Sequence, residues 1–132
     1  GFSMRRISFV DLLWQCVDES GRWDDWVESE PHYKPKQLKS ATSDSLNAGN
    51  RLVSKLKKIV EEAPSNSVVF LTETEALHPY FRTRTIESAL HDKIRIPTVI
   101  FYPGTRSGQY GLKFLGFYPE DSNYRSVMIG GV

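Results

Sequence analysis

Two short apolar runs with one amphipathic stretch between them constrain the fold of this chain more than any other feature. The runs are Val68–Leu71 and residues 98–102, and the apolar side chains of residues 78–92 have helical spacing. Continuous rather than alternating apolar residues are typical of parallel strands that are buried on both faces. Strand, helix and strand within about 35 residues form a βαβ unit, whose crossover is expected to be right-handed.

Two or three helices are predicted before this unit. Ser8 precedes an apolar run and Asp11 follows three residues later, which is a capping signature for a helix over residues 9–18. Tryptophans at helical spacing predict a second, short helix over residues 22–28. The clearest amphipathic pattern predicts a helix over residues 44–62, and no strand is predicted before residue 67.

Proline and glycine mark the predicted loops. Residues 29–42 hold two prolines without periodicity and are predicted as a long loop, and residues 103–111 are predicted as a turn-rich loop. Residues 112–118 are predicted as a strand that pairs antiparallel with residues 98–102 or lies next to them, and residues 124–129 as a short helix or an edge strand. The predicted fold class is therefore α/β, a small mixed sheet with a βαβ unit, preceded by two or three helices.

Length and charge exclude several classes of protein. The 132 residues suit one domain, predicted over residues 4–132, with residues 1–3 as a tag remnant before Met4. Basic and acidic residues number 17 and 16, so bulk charge does not point to a DNA-coating protein. The one cysteine, Cys16, cannot form an intramolecular disulfide, and no apolar run approaches a membrane span. A cytoplasmic protein without membrane contact is expected.

The sequence holds no motif that specifies a catalytic centre or a cofactor. Gly104, Gly108 and Gly111 lack the lysine and hydroxyl residue of a phosphate-binding loop and the spacing of a dinucleotide fingerprint. Cys16 and the three histidines are not at metal-ligand spacing, so neither a metal nor a cofactor is predicted. Glu73 and Glu75 follow the first apolar run, where α/β sites lie, and with Arg82 and residues 103–111 they leave a degenerate nucleotide-binding or phosphohydrolase domain as one alternative.

Cations are concentrated in residues 34–58, which carry seven basic residues and one acidic residue. Lys55, Lys57 and Lys58 lie on the predicted helix and could contact phosphates, as could Arg82 and Arg84 at the start of the next helix. A nucleic-acid-binding accessory protein is therefore a second alternative. Lysine-rich helix faces are more often only solvated.

Three segments occur in a specific order over residues 67–129. In this order and spacing they resemble the C-terminal part of the BrxB family, small components of bacteriophage-exclusion (BREX) defence systems. Family members usually have a glycine after the Leu-Thr pair, where this chain has Glu73. The segments are Val68–Thr72 with His78–Arg82, Phe101–Gly104 with Gly108–Gln109 and Leu112–Gly116, and Asp121–Arg125.

The resemblance implies a non-catalytic role within a defence assembly, in association with a PglZ-type, phosphatase-like subunit. Tyrosine and arginine are enriched at the energetic centres of protein interfaces. We therefore predict that a partner protein contacts a set of such residues, and a homodimer is also considered. The alternative is that the tyrosines are half-buried residues of the sheet. The set consists of Tyr102, Arg106, Tyr110, Tyr124 and Arg125.

Overall fold

A three-stranded parallel sheet organises the computed structural model, which describes residues 1–130. Its strands are β1 (Ser3–Ser8), β2 (Ser67–Thr72) and β3 (Thr98–Ile100), in the order β1-β2-β3 with both pairs parallel. The α/β class and the βαβ unit are confirmed. The prediction that no strand precedes the helices is wrong, because residues 3–8 pair with β2 along its whole length.

Helix α1 (Phe9–Ser20) and helix α2 (Trp23–Ser29) confirm the first two predicted helices. The backbone N–H of Asp11 donates to Ser8 Oγ at 3.3 Å, which caps α1 as predicted. Gly21 ends α1 in a left-handed conformation with φ 66°, which glycine adopts without steric cost.

The predicted loop over residues 29–42 is wrong. A short 3₁₀ turn (Glu30–His32) is followed by helix α3 (Pro35–Asn47). Pro35 is the first residue of α3, a position that lacks a hydrogen-bond acceptor for any N–H, so proline begins the helix here instead of interrupting it. The predicted single helix over 44–62 is also wrong, because these residues belong to two helices. The turn Ala48–Asn50, with Asn50 at φ 56°, separates α3 from α4 (Arg51–Glu61).

The helix between β2 and β3 is shorter than predicted. A 3₁₀ turn over Thr74–Leu77 follows β2 and buries the Leu77 side chain in the core. Arg82 is extended, so helix α5 begins at Thr83 and ends at Leu90 instead of covering residues 78–92.

A second, antiparallel sheet follows β3. It consists of β4 (Gly104–Ser107), β5 (Gly111–Phe114) and β6 (Glu120–Asp121), in the order β4-β5-β6. The prediction of a single mixed sheet is therefore wrong, because the strands form two sheets. Residues 103–111, predicted as a loop, contain strand β4, and β5 pairs with β4 instead of β3. The β4–β5 connection is short enough for a hairpin, which pairs each strand with its nearest neighbour in sequence. Residues 124–129 form neither a helix nor a strand.

One face of the parallel sheet carries the hydrophobic core. Val69 and Leu71 of β2 are fully buried against apolar side chains of the helices, whereas the intervening Val68 and Phe70 are only partly buried. The prediction of burial on both faces is therefore wrong for these strands. Each crossover advances one strand in the same direction, and right-handed crossovers then place both helical connections on the same face. The core residues from the helices include Leu12, Leu46, Leu56 and Ile86.

Candidate interaction site

A buried carboxylate links helix α5 to the chain that follows the antiparallel sheet. Glu87 lies one turn before Leu90 on the inner face of α5, and only 4% of the residue is exposed. Its Oε1 accepts a hydrogen bond from the Arg125 backbone N–H at 2.9 Å and another from Ser126 Oγ at 2.7 Å. Hydrogen bonds to a charged, buried acceptor are stronger than neutral ones, so Glu87 fixes the position of residues 125–126.

Two tyrosines pack beside this carboxylate. The rings of Tyr102 and Tyr124 meet edge to face, with centroids 6.1 Å apart, and Tyr124 is 5% exposed. Burial raises the pKa of Tyr124 far above its ordinary value, and the neighbouring Tyr102 and Asp121 raise it further. Burial also raises the pKa of Tyr102, against the opposing effect of its hydrogen bond to Tyr124. Both hydroxyls therefore stay protonated at neutral pH and act as structural hydrogen-bonding groups.

A cleft of about 440 Å³ lies between α5, strand β3, the antiparallel sheet and residues 124–130. Leu90 of α5, Ile100 of β3 and Leu112 of β5 contribute apolar walls, and Glu87 contributes the buried carboxylate. Strand β3 is an edge strand, and its backbone borders the cleft. Ligand pockets have this size and this combination of apolar walls with a few polar groups.

An aromatic cluster attaches the antiparallel sheet to the turn after β2. The His78 ring stacks on Phe114 with centroids 4.9 Å apart, and His78 Nε2 lies 2.9 Å from the Tyr118 hydroxyl. Tyr102 meets the same Phe114 ring at 5.9 Å. The cluster thus holds one side of the cleft in position.

The five residues predicted to contact a partner come together around this cleft. Tyr102, Arg106 and Tyr124 line it. The carbonyl oxygen of Tyr110 accepts from the Tyr124 N–H at 3.1 Å, and Arg125 is attached to Glu87. Tyr124 is buried and Tyr102 half-buried, so these two match the alternative of supporting residues, whereas the side chains of Arg106, Tyr110 and Arg125 are exposed.

The predicted anion-contacting residues lie on α4 and at the start of α5, and three of them form ion pairs. Lys55 Nζ lies 2.6 Å from Glu19 Oε1, and Lys58 Nζ lies 3.9 Å from Glu62 Oε1. Arg84 Nη1 lies 3.5 Å from Asp121 Oδ1, at the antiparallel sheet. Arg82 is exposed immediately before α5. These ion pairs reduce the positive charge available to a phosphate.

Lys57 differs from these residues because a second amine lies beside it. The nearby Lys93 amine and partial desolvation lower the pKa of Lys57. The positive charges of the Lys57 and Lys93 side chains favour binding of an anion.

Of the two carboxylates considered for catalysis, Glu73 contacts other side chains, whereas Glu75 is exposed in the 3₁₀ turn after β2. Glu73 forms an ion pair with Arg6 at 3.1 Å and accepts a hydrogen bond from Ser8 Oγ. Gly104 and Gly111 begin adjacent strands of a hairpin, and no helix N-terminus follows them. Within residues 1–130, no group of three or more metal-ligating side chains comes together and no helix is long and apolar enough to cross a membrane.

Glu87 belongs to the site, but the sequence analysis did not include it among the residues predicted to contact a partner. A signal existed, because Thr83, Glu87 and Leu90 have the spacing of one helix face and therefore point the same way. A carboxylate on an apolar helix face predicts a buried hydrogen-bonding partner.

These features define a small α/β protein in which an apolar cleft, anchored by Glu87, lies between a parallel and an antiparallel sheet. The chain matches the family described as BREX protein BrxB over residues 5–129 and belongs to that family. It is a BrxB-family protein of the BREX phage-defence system. The match extends well before the resemblance over residues 67–129 and includes most of β1.

One curated relative is the BREX protein BrxB of Bacillus cereus (strain H3081.97). The two sequences are 26% identical over 129 residues, which make up 96% of this chain and 66% of the relative. The chain thus spans just under two thirds of the length of that relative. No solved structure matches the chain.

Proposed function

We propose that this chain is a non-catalytic interaction component of a BREX-like defence complex, and that it binds a PglZ-type, phosphatase-like subunit. The observation that carries the proposal is that exposed Arg106 lines the cleft, while exposed Tyr110 and Arg125 are held by hydrogen bonds to the lining residues Tyr124 and Glu87. Tyrosine and arginine that are held by a fixed framework lose little conformational entropy on binding. A cytoplasmic location is part of the proposal, because the single cysteine, Cys16, cannot form an intramolecular disulfide.

The test is direct binding between this protein and the purified PglZ-type subunit of the same system. Arg106→Ala combined with Tyr110→Ala is expected to weaken the complex at least about tenfold, as loss of interface hot spots does. The matched control is Tyr33→Ala with Lys36→Ala, which removes an exposed tyrosine and a cation that do not line the cleft. Equal affinities of the two double variants would contradict the proposed surface, and no binding by the native chain would contradict the partner.

Nucleic-acid binding is the second candidate function, because residues 34–58 carry seven basic residues against one acidic residue and the charge of Lys93 acts on Lys57. Binding through phosphates weakens steeply as salt concentration rises. We expect Lys57→Ala with Lys93→Ala to abolish any such binding at about 50 mM salt. Undetectable binding of DNA and RNA by the native protein under these conditions would remove this candidate.

A further inference from the structure

The buried carboxylate of Glu87 has one oxygen without a partner. Its Oε1 accepts two hydrogen bonds, whereas its Oε2 is buried and has no hydrogen-bonding partner within residues 1–130. The ion pairs formed within those residues do not include Glu87 either. Buried charges are normally paired, and buried polar atoms are normally hydrogen-bonded. Oε2 therefore lacks both a donor and a positive charge beside it.

The basic side chains around Glu87 are directed elsewhere. Arg125 binds Glu87 through its backbone, but its Nη1 lies 4.0 Å from Asp92 Oδ2. His91 Nε2 also faces Asp92, at 4.0 Å from Oδ1. Arg106 lines the cleft with an exposed side chain, and water screens an exposed charge far more than a buried one. These basic residues therefore leave the charge of Glu87 without a direct counterion.

Apolar walls adjoin this carboxylate. Glu87 lines the cleft of about 440 Å³ together with Leu90, Ile100 and Leu112. A carboxylate binds a cation more strongly where apolar surroundings exclude water. We propose that the cleft is a binding site for a small organic cation, a protonated amine on an apolar chain, whose ammonium group donates to Glu87 Oε2. This site does not depend on binding of the PglZ-type subunit.

Other kinds of donor fit the carboxylate less well. A metal ion needs several ligands, and no group of three or more metal-ligating side chains comes together within residues 1–130. A guanidinium group binds a carboxylate best through both oxygens, but Oε1 of Glu87 is already occupied by two donors. A hydroxyl group supplies a hydrogen bond without the missing positive charge. An ammonium group supplies both to a single oxygen.

The wall formed by residues 126–130 provides the route to the carboxylate. These residues line the cleft and belong to no helix or strand. The side chains of Val127 and Ile129 are 88% and 89% exposed, so they add little burial to this stretch. Because Oε2 is buried, the ammonium group reaches it only when the wall is displaced slightly. A segment with few buried contacts opens at a low cost in free energy.

The first experiment compares two probes that have the same apolar chain and differ at one end. n-Hexylamine carries an ammonium group at neutral pH, and 1-hexanol carries a hydroxyl group. We expect hexylamine to shift the methyl NMR signals of Leu90, Ile100 and Leu112 and to bind at least about tenfold more tightly than 1-hexanol. Equal affinities would overturn the inference, because the cleft would then bind only the hydrocarbon chain. Absence of any shift at these residues would overturn it as well.

The second experiment removes the charge of the carboxylate. Glu87→Gln retains an oxygen for the hydrogen bonds of Arg125 and Ser126 and should lower the affinity for hexylamine about tenfold, to that for 1-hexanol. Glu28→Gln is the matched control, because it removes an exposed carboxylate that does not line the cleft. Native affinity in Glu87→Gln, or an equal loss in both variants, would overturn the inference. If Glu87→Gln does not fold, the two probes on the native chain still decide.

The same chemistry is carried by a free amine and by a lysine side chain of a partner. A competition experiment with the PglZ-type subunit distinguishes these sources. Displacement of the subunit by hexylamine supports a lysine of that subunit as the ligand, and binding of hexylamine to the intact complex supports a free amine. If the native chain does not bind the subunit, the proposed function fails, and the comparison of hexylamine with 1-hexanol alone decides the inference.

Discussion

Glu87 of α5 accepts a hydrogen bond from the backbone N–H of Arg125 across 2.9 Å, although 38 residues separate the two in sequence. This contact, together with the one from Ser126 Oγ, determines where the chain lies after the antiparallel sheet. The backbone of Arg125 is therefore held by a carboxylate on another element, and its guanidinium lies 4.0 Å from Asp92 Oδ2. The position of a proposed contact residue depends on a side chain inside the protein.

Glu87→Ala should release this segment. Loss of two hydrogen bonds to a charged acceptor destabilises the folded protein, and removal of the buried carboxylate offsets part of this loss. The free energy of unfolding is therefore expected to fall by about 1.5–3 kcal/mol. The amide of Arg125 should exchange with solvent much faster in the variant. Ser126→Ala, which removes one of the two bonds, is the control and should have a smaller effect. Unchanged exchange at Arg125 in Glu87→Ala would show that other contacts hold the segment.

Position 73 offers a test of backbone conformation. Glu73 has φ 60°, in the left-handed region that favours glycine, and its side chain contacts Arg6 and Ser8. Glu73→Gly and Glu73→Ala both lose these contacts, but only glycine relieves the unfavourable conformation. Glu73→Gly should therefore be more stable than Glu73→Ala by about 1 kcal/mol in urea denaturation. A more stable alanine variant would contradict the conformation of this turn.

The two tyrosines of the cleft predict a loss of stability at alkaline pH. Their pKa values are raised above 10.0 in the folded protein, so the folded state retains protons that the unfolded state releases. This contribution is complete below pH 10 and falls as the pH rises above it. Denaturation measured between pH 8 and pH 11 should show a smaller decrease for Tyr124→Phe than for the native protein. An ultraviolet titration in which all tyrosines of the folded protein ionise near pH 10 would contradict the burial of this pair.

Neighbouring residues of the parallel sheet should respond differently to truncation because they lie on opposite faces. Leu71→Ala leaves a cavity in the core and should cost about 2–5 kcal/mol of stability. Phe101→Ala removes a ring that is mostly in solvent and should cost about 1 kcal/mol or less. Chemical denaturation of the two variants measures both values. A similar loss of stability in the two variants would mean that another part of this protein covers the Phe101 side chain.

The sequence predicts an element correctly where the pattern that specifies it lies in neighbouring residues. The apolar runs around Val69 and Val99 and the cap at Ser8 each depend on neighbouring residues, and the corresponding strands and helix start are confirmed. Pro35 was misinterpreted because proline begins a helix as readily as it ends one, and the residues around it have no apolar periodicity.

Other elements depend on residues that are distant in sequence. Strand β1 contains two arginines and no strand-like alternation, and it is a strand because Ile7 pairs beside Leu71. That one face of the parallel sheet is not covered by the helices could not be predicted either, because it follows from the strand order and not from composition. The clustering of Tyr102 and Tyr124 with Glu87 depends likewise on how the two sheets meet. Their role at an interface stays a prediction.

The pairing of Ser3 with Ser67 has a consequence for the order in which the protein folds during synthesis. These residues are 64 positions apart, and a parallel strand has no hairpin partner to pair with earlier. At a translation rate of roughly 5–20 residues per second, β1 remains without its neighbour for about 3–13 seconds after it is made. Within the parallel sheet, β1 is thus the strand that remains unpaired longest during synthesis, and chaperones have that interval in which to bind its unpaired edge.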